Sequence, residues 1–197
     1  MASLREPLRY TLRFPAPHSH YLEIEMVIPA LRQSVVDVRM AVWTPGSYLV
    51  REYARHLESL AAQTLDGVPL ATDKIRKNRW RIVLQQAAPV RLTYRVYCRE
   101  MSVRTNWVDS DFALLNGAPT FLTLVEDSPR PHDIRLLLPP SWQTTMTGLP
   151  AAPDQAPHHY RAADFDTLVD SPILAGNPTI YPFMVDDKPH SLVNEGE

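Results

Sequence analysis

Cysteine is nearly absent from this sequence: Cys98 stands alone among 197 residues, so no disulfide can form within the chain. Its place in an alternating apolar run marks it as a small buried hydrophobe. Neither sign of charge dominates. With 20 Lys and Arg against 22 Asp and Glu, the formal charge of -2 excludes the phosphate-neutralising surface on which nucleic-acid binding rests. Long hydrophobic runs are missing as well. No stretch approaches the roughly 18 to 20 apolar residues that a membrane span requires, and the opening MASLREPLRYTLRF has no apolar core of a secretory signal. Neither nucleic acid nor membrane is expected as a partner, and a cytoplasmic location is the default. Glycine is scarce, at six, whereas proline is plentiful, at 19 spread along the chain, which reads as strands joined by defined corners and not as a linker. Hydrophobic residues make up 45% and charged ones 21%, an ordinary globular balance. A polypeptide of this length can bury about 70% of its unfolded surface without staples.

The motifs of common hydrolytic chemistry are also missing. A helical zinc site needs H-E-x-x-H, two His one turn apart with a Glu to activate the bound water, and the sequence has none. His18 and His20 follow Pro15 and Pro17 and lack a third ligand, and the neighbours His158 and His159 point apart, so all four read as loop or strand-start residues and no metal ligand is assigned. Gly46-Ser47 lacks the second glycine of a nucleophile elbow, and Thr44-Pro45-Gly46-Ser47 suits a β-turn instead. Lys74 to Arg79, KIRKNR before Trp80, reads as a solvated hairpin tip. There is no glycine-rich phosphate loop, and no catalytic residue is expected in this chain.

What is present is alternation. Leu22, Ile24, Met26 and Ile28 share one face of a strand. Val36, Val38, Met40 and Val42 share another, as do Val90, Leu92, Tyr94, Val96 and Cys98, and then Ile134, Leu136 and Leu138. The expected fold class is all-β, mainly antiparallel, with two packed sheets as in a β-sandwich and little helix. The best helical candidate, Leu49 to Ala62, keeps the 3.6-residue period only in part and equally suits a strand starting near His56. Asn116-Gly117, between apolar triplets, predicts a two-residue type I′ hairpin. Further strands are expected near Thr179 to Val185 and His190 to Val193. A loop insertion at 151–159, AAPDQAPHH, interrupts what reads as one β-rich unit over 1–197.

Two clusters place charge among aromatics, where an ion must find a partner or stay wet. In WTPGSYLVREYARH, Trp43 to His56, the charges Arg51, Glu52 and Arg55 sit among Tyr48 and Tyr53. In SVRTNWVDSDFALLNG, Ser102 to Gly117, Arg104, Asn106, Asp109 and Asp111 mix with Trp107 and Phe112. Two readings stand: mutual salt bridges that lock two corners, or a surface that meets another domain or a substrate, with Tyr48, Arg51, Arg104, Asn106 and Asp109 as its residues.

These clusters, with KNRW, FALLNGAPTFL, DFDTLVDSPILAGN and the closing F-x-V and P-H-x-L-V-N strings at Phe183 to Asn194, resemble the N-terminal domain of the glycyl aminopeptidase family from about Tyr10 to the last residue. The resemblance implies a β-rich, saddle-like domain like that of alanyl-type aminopeptidases. It also implies a parent protein with a thermolysin-like catalytic domain of the gluzincin type, holding zinc through H-E-x-x-H and a downstream Glu, and often a PDZ domain. The implied activity is removal of N-terminal Gly or Ala from peptides, with this domain packed against its own catalytic domain in cis. Zinc would belong to the parent, no cofactor to this chain, and this chain alone should be inactive. The abrupt end after a predicted strand suggests that the sequence stops before the catalytic domain. In the alanyl-type relatives a hairpin of the N-terminal domain lines the substrate cleft, and Asn116, Gly117 and Ala118 match it best. Two departures stand out: Asp186-Asp187 where the last hairpin would carry glycine, and Pro119, which pushes Ala118 toward extended geometry. The alternatives are a free-standing β-sandwich that binds peptide or carbohydrate through Trp43, Tyr48 and Tyr53, and a structural domain that promotes assembly with another polypeptide.

Overall fold

The computed structural model describes residues 5–44, 49–125 and 129–196. The strands in sequence order are β1 (Leu8–Arg13), β2 (Tyr21–Ile28), β3 (Val35–Met40), β4 (Leu57–Thr64), β5 (Pro69–Arg76), β6 (Arg79–Val83), β7 (Val90–Tyr97), β8 (Trp107–Val108), β9 (Ala113–Leu115), β10 (Leu122–Leu124), β11 (His132–Leu137), β12 (Thr144–Thr147) and β13 (His159–Ala162). A five-residue helix α1 (Phe165–Val169) follows, then β14 (Ile173–Gly176), β15 (Thr179–Val185) and β16 (Lys188–Asn194). The architecture is the expected mainly antiparallel β fold, with β1 and β11 running parallel.

Ten strands hydrogen-bond in the order β10-β3-β6-β5-β4-β7-β2-β1-β11-β13. The period-two pattern sets the register: Leu22, Ile24, Met26 and Ile28 of β2 lie opposite Val96, Tyr94, Leu92 and Val90 of β7, so every buried residue faces a buried residue. A slip by one position would turn all of them toward solvent. On the outer face Arg95 lies opposite Glu23 on one side and Glu58 on the other. Arg95 on β7 reaches Glu58 on β4 at 2.7 Å and lies over the Tyr21 ring.

The sheet curls at β5. Its first two residues, Pro69 and Leu70, pair with β4, while residues from Ala71 to Arg76 pair with β6. That hand-over brings β6, β3 and β10 round to face β1, β2 and β7. Val36, Val38, Met40, Ile82, Leu122 and Leu124 thereby close on Tyr10, Ile24, Met26 and Tyr94 in one buried cluster. Two tyrosines satisfy polar groups within it: Tyr10 Oη donates to the Leu122 carbonyl at 2.8 Å, and Tyr94 Oη donates to the Thr120 carbonyl and accepts the Leu122 N–H. Desolvation raises the Tyr94 pKa, so it stays a neutral donor.

A second sheet, β12-β14-β9-β8, closes one end. It is fastened by Trp142, whose ring packs 4.9 Å from that of Phe14 and whose Nε1 donates to the Ser110 carbonyl. The helix α1 is capped by Asp164, which accepts the Thr167 N–H at 2.8 Å. The segment Leu49 to Ala62 resolves into a 3₁₀ turn at Tyr53–Arg55 followed by β4, so the strand alternative holds from Leu57. KIRKNR is the β5–β6 tip, with Lys77 exposed and Asn78 donating to the Met40 carbonyl. The His20 ring bonds through Nδ1 to the Val108 carbonyl, a structural contact at the start of β2. The loop between β12 and β13 holds Gln155 and His158 at positive φ.

Candidate functional site

The type I′ hairpin expected at Asn116-Gly117 does not form. β9 pairs with β8 and β14 while β10 pairs with β3, so residues 116–121 cross from one sheet to the other. Gly117 is not among the residues with positive φ. Its carbonyl instead accepts the N–H groups of Thr120 and Phe121 in a compact turn. The hairpin signal failed because the turn type depends on whether the flanking strands pair with each other, which is decided by tertiary packing.

A hydrogen-bonded knot holds this crossing in place. Asn106, only 3% exposed, accepts the Asn116 N–H through Oδ1 at 2.8 Å and donates through Nδ2 to Thr120 Oγ1 at 2.9 Å. Thr120, fully buried, donates in turn to the Asn116 carbonyl. The Asn116 side chain donates through Nδ2 to the carbonyls of Thr105 and Ser102. The polar groups of this knot would otherwise be desolvated without partners, which is why an asparagine sits at each of two corners. Thr120 was missed in the sequence; the signal was a lone hydroxyl in the apolar run Pro119 to Leu122.

Of the three cleft candidates, Gly117 and Ala118 are covered. Gly117 lies against the end of α1 and Ala118 is fully buried. Asn116 is half-buried, and among the described residues its Oδ1 accepts no hydrogen bond. Asn116 is therefore the one member of the trio that is not buried.

One cation from each charged cluster acts electrostatically on Tyr53. This phenol is 4% exposed; burial raises its pKa, and the nearby cations of Arg51 and Arg104 pull in the opposite direction. Burial also removes Tyr53 from the aromatic binding corner considered above; Trp43 is about half exposed, and Tyr48 lies outside the described residues. Asp109 closes the β8–β9 turn, accepting Trp107 Nε1 through one oxygen and the N–H groups of Asp111 and Phe112 through the other. This corner is locked by hydrogen bonds to one carboxylate, where mutual salt bridging was the bland expectation. In the first cluster the charges pair outward, Glu52 with Lys77 at 3.0 Å and Arg55 with Glu100 at 3.9 Å.

Among the described residues no group of three His, Cys, Asp or Glu could hold a metal ion. The resemblance places its zinc in the parent's catalytic domain, and the described residues offer it no ligand set.

Residues 9–177 match the family model of the peptidase M61 N-terminal domain. The chain belongs to that family. The peptidase M61 N-terminal domain described here superposes on an aminopeptidase N family protein from Idiomarina loihiensis with TM-score 0.87 and 29% identity, over 96% of this chain and 32% of that one. An M1 zinc metallopeptidase from Deinococcus radiodurans matches with TM-score 0.53 and 12% identity over 91% of this chain and 43% of that one. A variant of it bound to a Tyr-Ser-Ala substrate gives 0.54 and 10% over 94% and 46%. The two Deinococcus likenesses carry the fold alone. The chain spans about a third of the length of the first relative and less than half of the others. No curated protein matches. Among the described residues no helix is long and apolar enough to cross a membrane.

Proposed function

We propose that this peptidase M61 N-terminal domain is the non-catalytic N-terminal part of a zinc aminopeptidase that removes Gly or Ala from peptide N-termini, and that it packs in cis on the catalytic domain and lines one wall of its cleft. The observation that carries the reading is the match over 96% of this chain to one third of an aminopeptidase N family protein at 29% identity. In this reading another part of the polypeptide supplies the zinc and the water-activating Glu.

Asn116 is the cleft residue in this reading. Its Nδ2 is committed to two carbonyls, which orients the amide and leaves Oδ1 as an acceptor for a donor group at the substrate's N-terminal end. The small neighbours Gly117 and Ala118 act one layer behind, as the packed support that fixes Asn116.

The test is kinetic, in the complete enzyme. Asn116→Ala and Asn116→Asp are compared with wild type on Gly-, Ala- and Leu-terminated peptides, with Tm recorded in parallel. The reading predicts a drop of at least about tenfold in kcat/KM on Gly and Ala substrates, equivalent to about 1.4 kcal/mol. Unchanged kinetics with an unchanged Tm would remove Asn116 from the cleft, and no activity on any of the three would remove the aminopeptidase reading itself.

A further inference from the structure

The family match ends at residue 177, and β15 starts at Thr179. The β15–β16 hairpin thus lies outside the N-terminal domain as the family defines it, and the structure treats it as separate. Its strands pair with each other alone, in a two-stranded sheet. All of β15 and all of β16 except the half-buried Val193 are exposed. A two-stranded hairpin in water is at best marginally stable, so its composition has to be explained by something that covers it.

The register assigns each side chain to a face, because directly opposed residues of an antiparallel pair point the same way. One face carries Tyr181 with Leu192, Phe183 with His190, and Val185 with Lys188. The other carries Ile180 with Val193, Pro182 with Ser191, and Met184 with Pro189. The first face also carries Thr179 with Asn194, and each face holds several large apolar side chains: Tyr181, Phe183, Val185 and Leu192 on one, Ile180, Met184 and Val193 on the other. A hairpin with one side in solvent would alternate apolar and polar residues, whereas strands apolar on both sides belong to sheets covered on both sides. Phe183 and Met184, on opposite faces, are 48% and 62% exposed.

The hairpin is nonetheless built for one position. Asp186 and Asp187 hold φ of 47° and 59°, the left-handed pair that a type I′ turn requires. At its base the Glu195 carboxyl is drawn in against the domain, its Oε2 buried, and this burial raises its pKa. Asn177 is bonded to Ser141 and Gln143. A β-carbon at Gly176 would meet Phe112 Cβ at 2.8 Å and Glu195 Oε2 at 3.1 Å, so the junction is closely packed. The likeness to the Idiomarina protein reaches 96% of this chain, more than the family-matched part would supply, and leaves about two thirds of that protein outside the match.

We propose that β15–β16 is the first element of the folding unit that follows the N-terminal domain in the same polypeptide, and that the residues following it in sequence cover both of its apolar faces. The proposal rests on the reading that this domain is part of a longer peptidase. The hairpin is then a graft of the neighbouring core, held at the domain boundary by Glu195, Asn177 and Gly176, and the two domains share it as a rigid joint.

Hydrogen–deuterium exchange of the peptides spanning 179–194 tests this in the 197-residue chain and in the complete protein. Protection should be near that of an open polypeptide in the former and at least about a thousandfold greater in the latter. Equal lability in both overturns the proposal. Protection in the 197-residue chain that vanishes on dilution overturns it in favour of a second copy, and protection that needs an added protein overturns it in favour of a partner. Phe183→Asp and Met184→Asp probe the two faces: each should leave the Tm of the 197-residue chain unchanged and lower that of the complete protein by several degrees. A face whose variant has no effect there is not covered, which overturns the two-sided arrangement. Absence of peptidase activity in the complete protein would sink the enzymatic reading while leaving the exchange result to stand.

Discussion

Gly117 packs so closely on Leu168 that a β-carbon at 117 would sit 2.5 Å from the Leu168 carbonyl oxygen and 2.6 Å from the Val169 α-carbon. Both obstacles are backbone, and α1 is only five residues long and held at its start by Asp164. A methyl group there cannot be absorbed by rotating a side chain.

Gly117→Ala is therefore expected to destabilise the domain by about 1–3 kcal/mol, the usual range for overpacking a well-filled interior, which for a domain of this size lowers Tm by several degrees. Urea denaturation gives the number directly. A shift below about 0.5 kcal/mol would mean that α1 moves freely and that the close approach is not structural.

His132 supplies a pH dependence. It is 1% exposed, with Nδ1 3.0 Å from Tyr10 Oη and its ring beside Phe165. Burial chiefly, and then the Arg130 cation, lower its pKa to about 4, against the pull of Asp164 and Asp133. The unfolded imidazole, near 6.5, binds a proton first as pH falls. The contribution to stability is therefore complete above about pH 6.5 and is lost as pH falls through the folded value near 4, a change on the order of 3 kcal/mol. Denaturation midpoints measured at about pH 7, 5.5 and 4.5 should fall steadily. His132→Gln should flatten that slope, and an unaltered slope in the variant would place the sensitivity elsewhere.

The strands with one wet face were legible in the sequence because their cause is local: Leu22 to Ile28 and Val90 to Val96 alternate, and alternation survives any rearrangement of partners. Turn chemistry was less legible. Asn116-Gly117 carries the strongest hairpin signal and is a crossing between sheets, whereas the left-handed turn of the last hairpin is built from Asp186-Asp187. Asp tolerates that conformation at modest cost, so this departure from glycine proved to be no obstacle. The influence of Arg104 on Tyr53 joins residues far apart in sequence, and the bond from Asn106 to Thr120 joins separate turns. Such contacts follow from how the sheets pack on one another, which one strand's alternation does not encode.

Asp133 and Arg161 form a bidentate pair across β11 and β13, at 2.6 and 2.7 Å. The Asp133 side chain is 10% exposed and that of Arg161 35%. Hydrogen bonding to Asp133 raises the Arg161 pKa further. Removing the cation leaves a desolvated carboxylate, so Arg161→Leu should cost about 2–4 kcal/mol, while the double change Asp133→Leu with Arg161→Leu should recover part of it. A double-mutant cycle with no coupling would show that β13 is held by its backbone alone.

Cys98 reports on the far end of the same core. It is 1% exposed, and its thiol Sγ donates to the Val96 carbonyl at 3.3 Å. Burial first of all raises its pKa, to about 12, so at neutral pH almost no thiolate exists in the folded domain, and the thiolate is the species that alkylating reagents attack. At about pH 8 the native domain should resist iodoacetamide for hours, and modification should appear only along the unfolding transition measured in urea. Labelling in the absence of denaturant, at a rate near that of a free thiol, would mean that the β7 end opens locally, and the buried end of the central sheet would then have to be redrawn as a region of low stability.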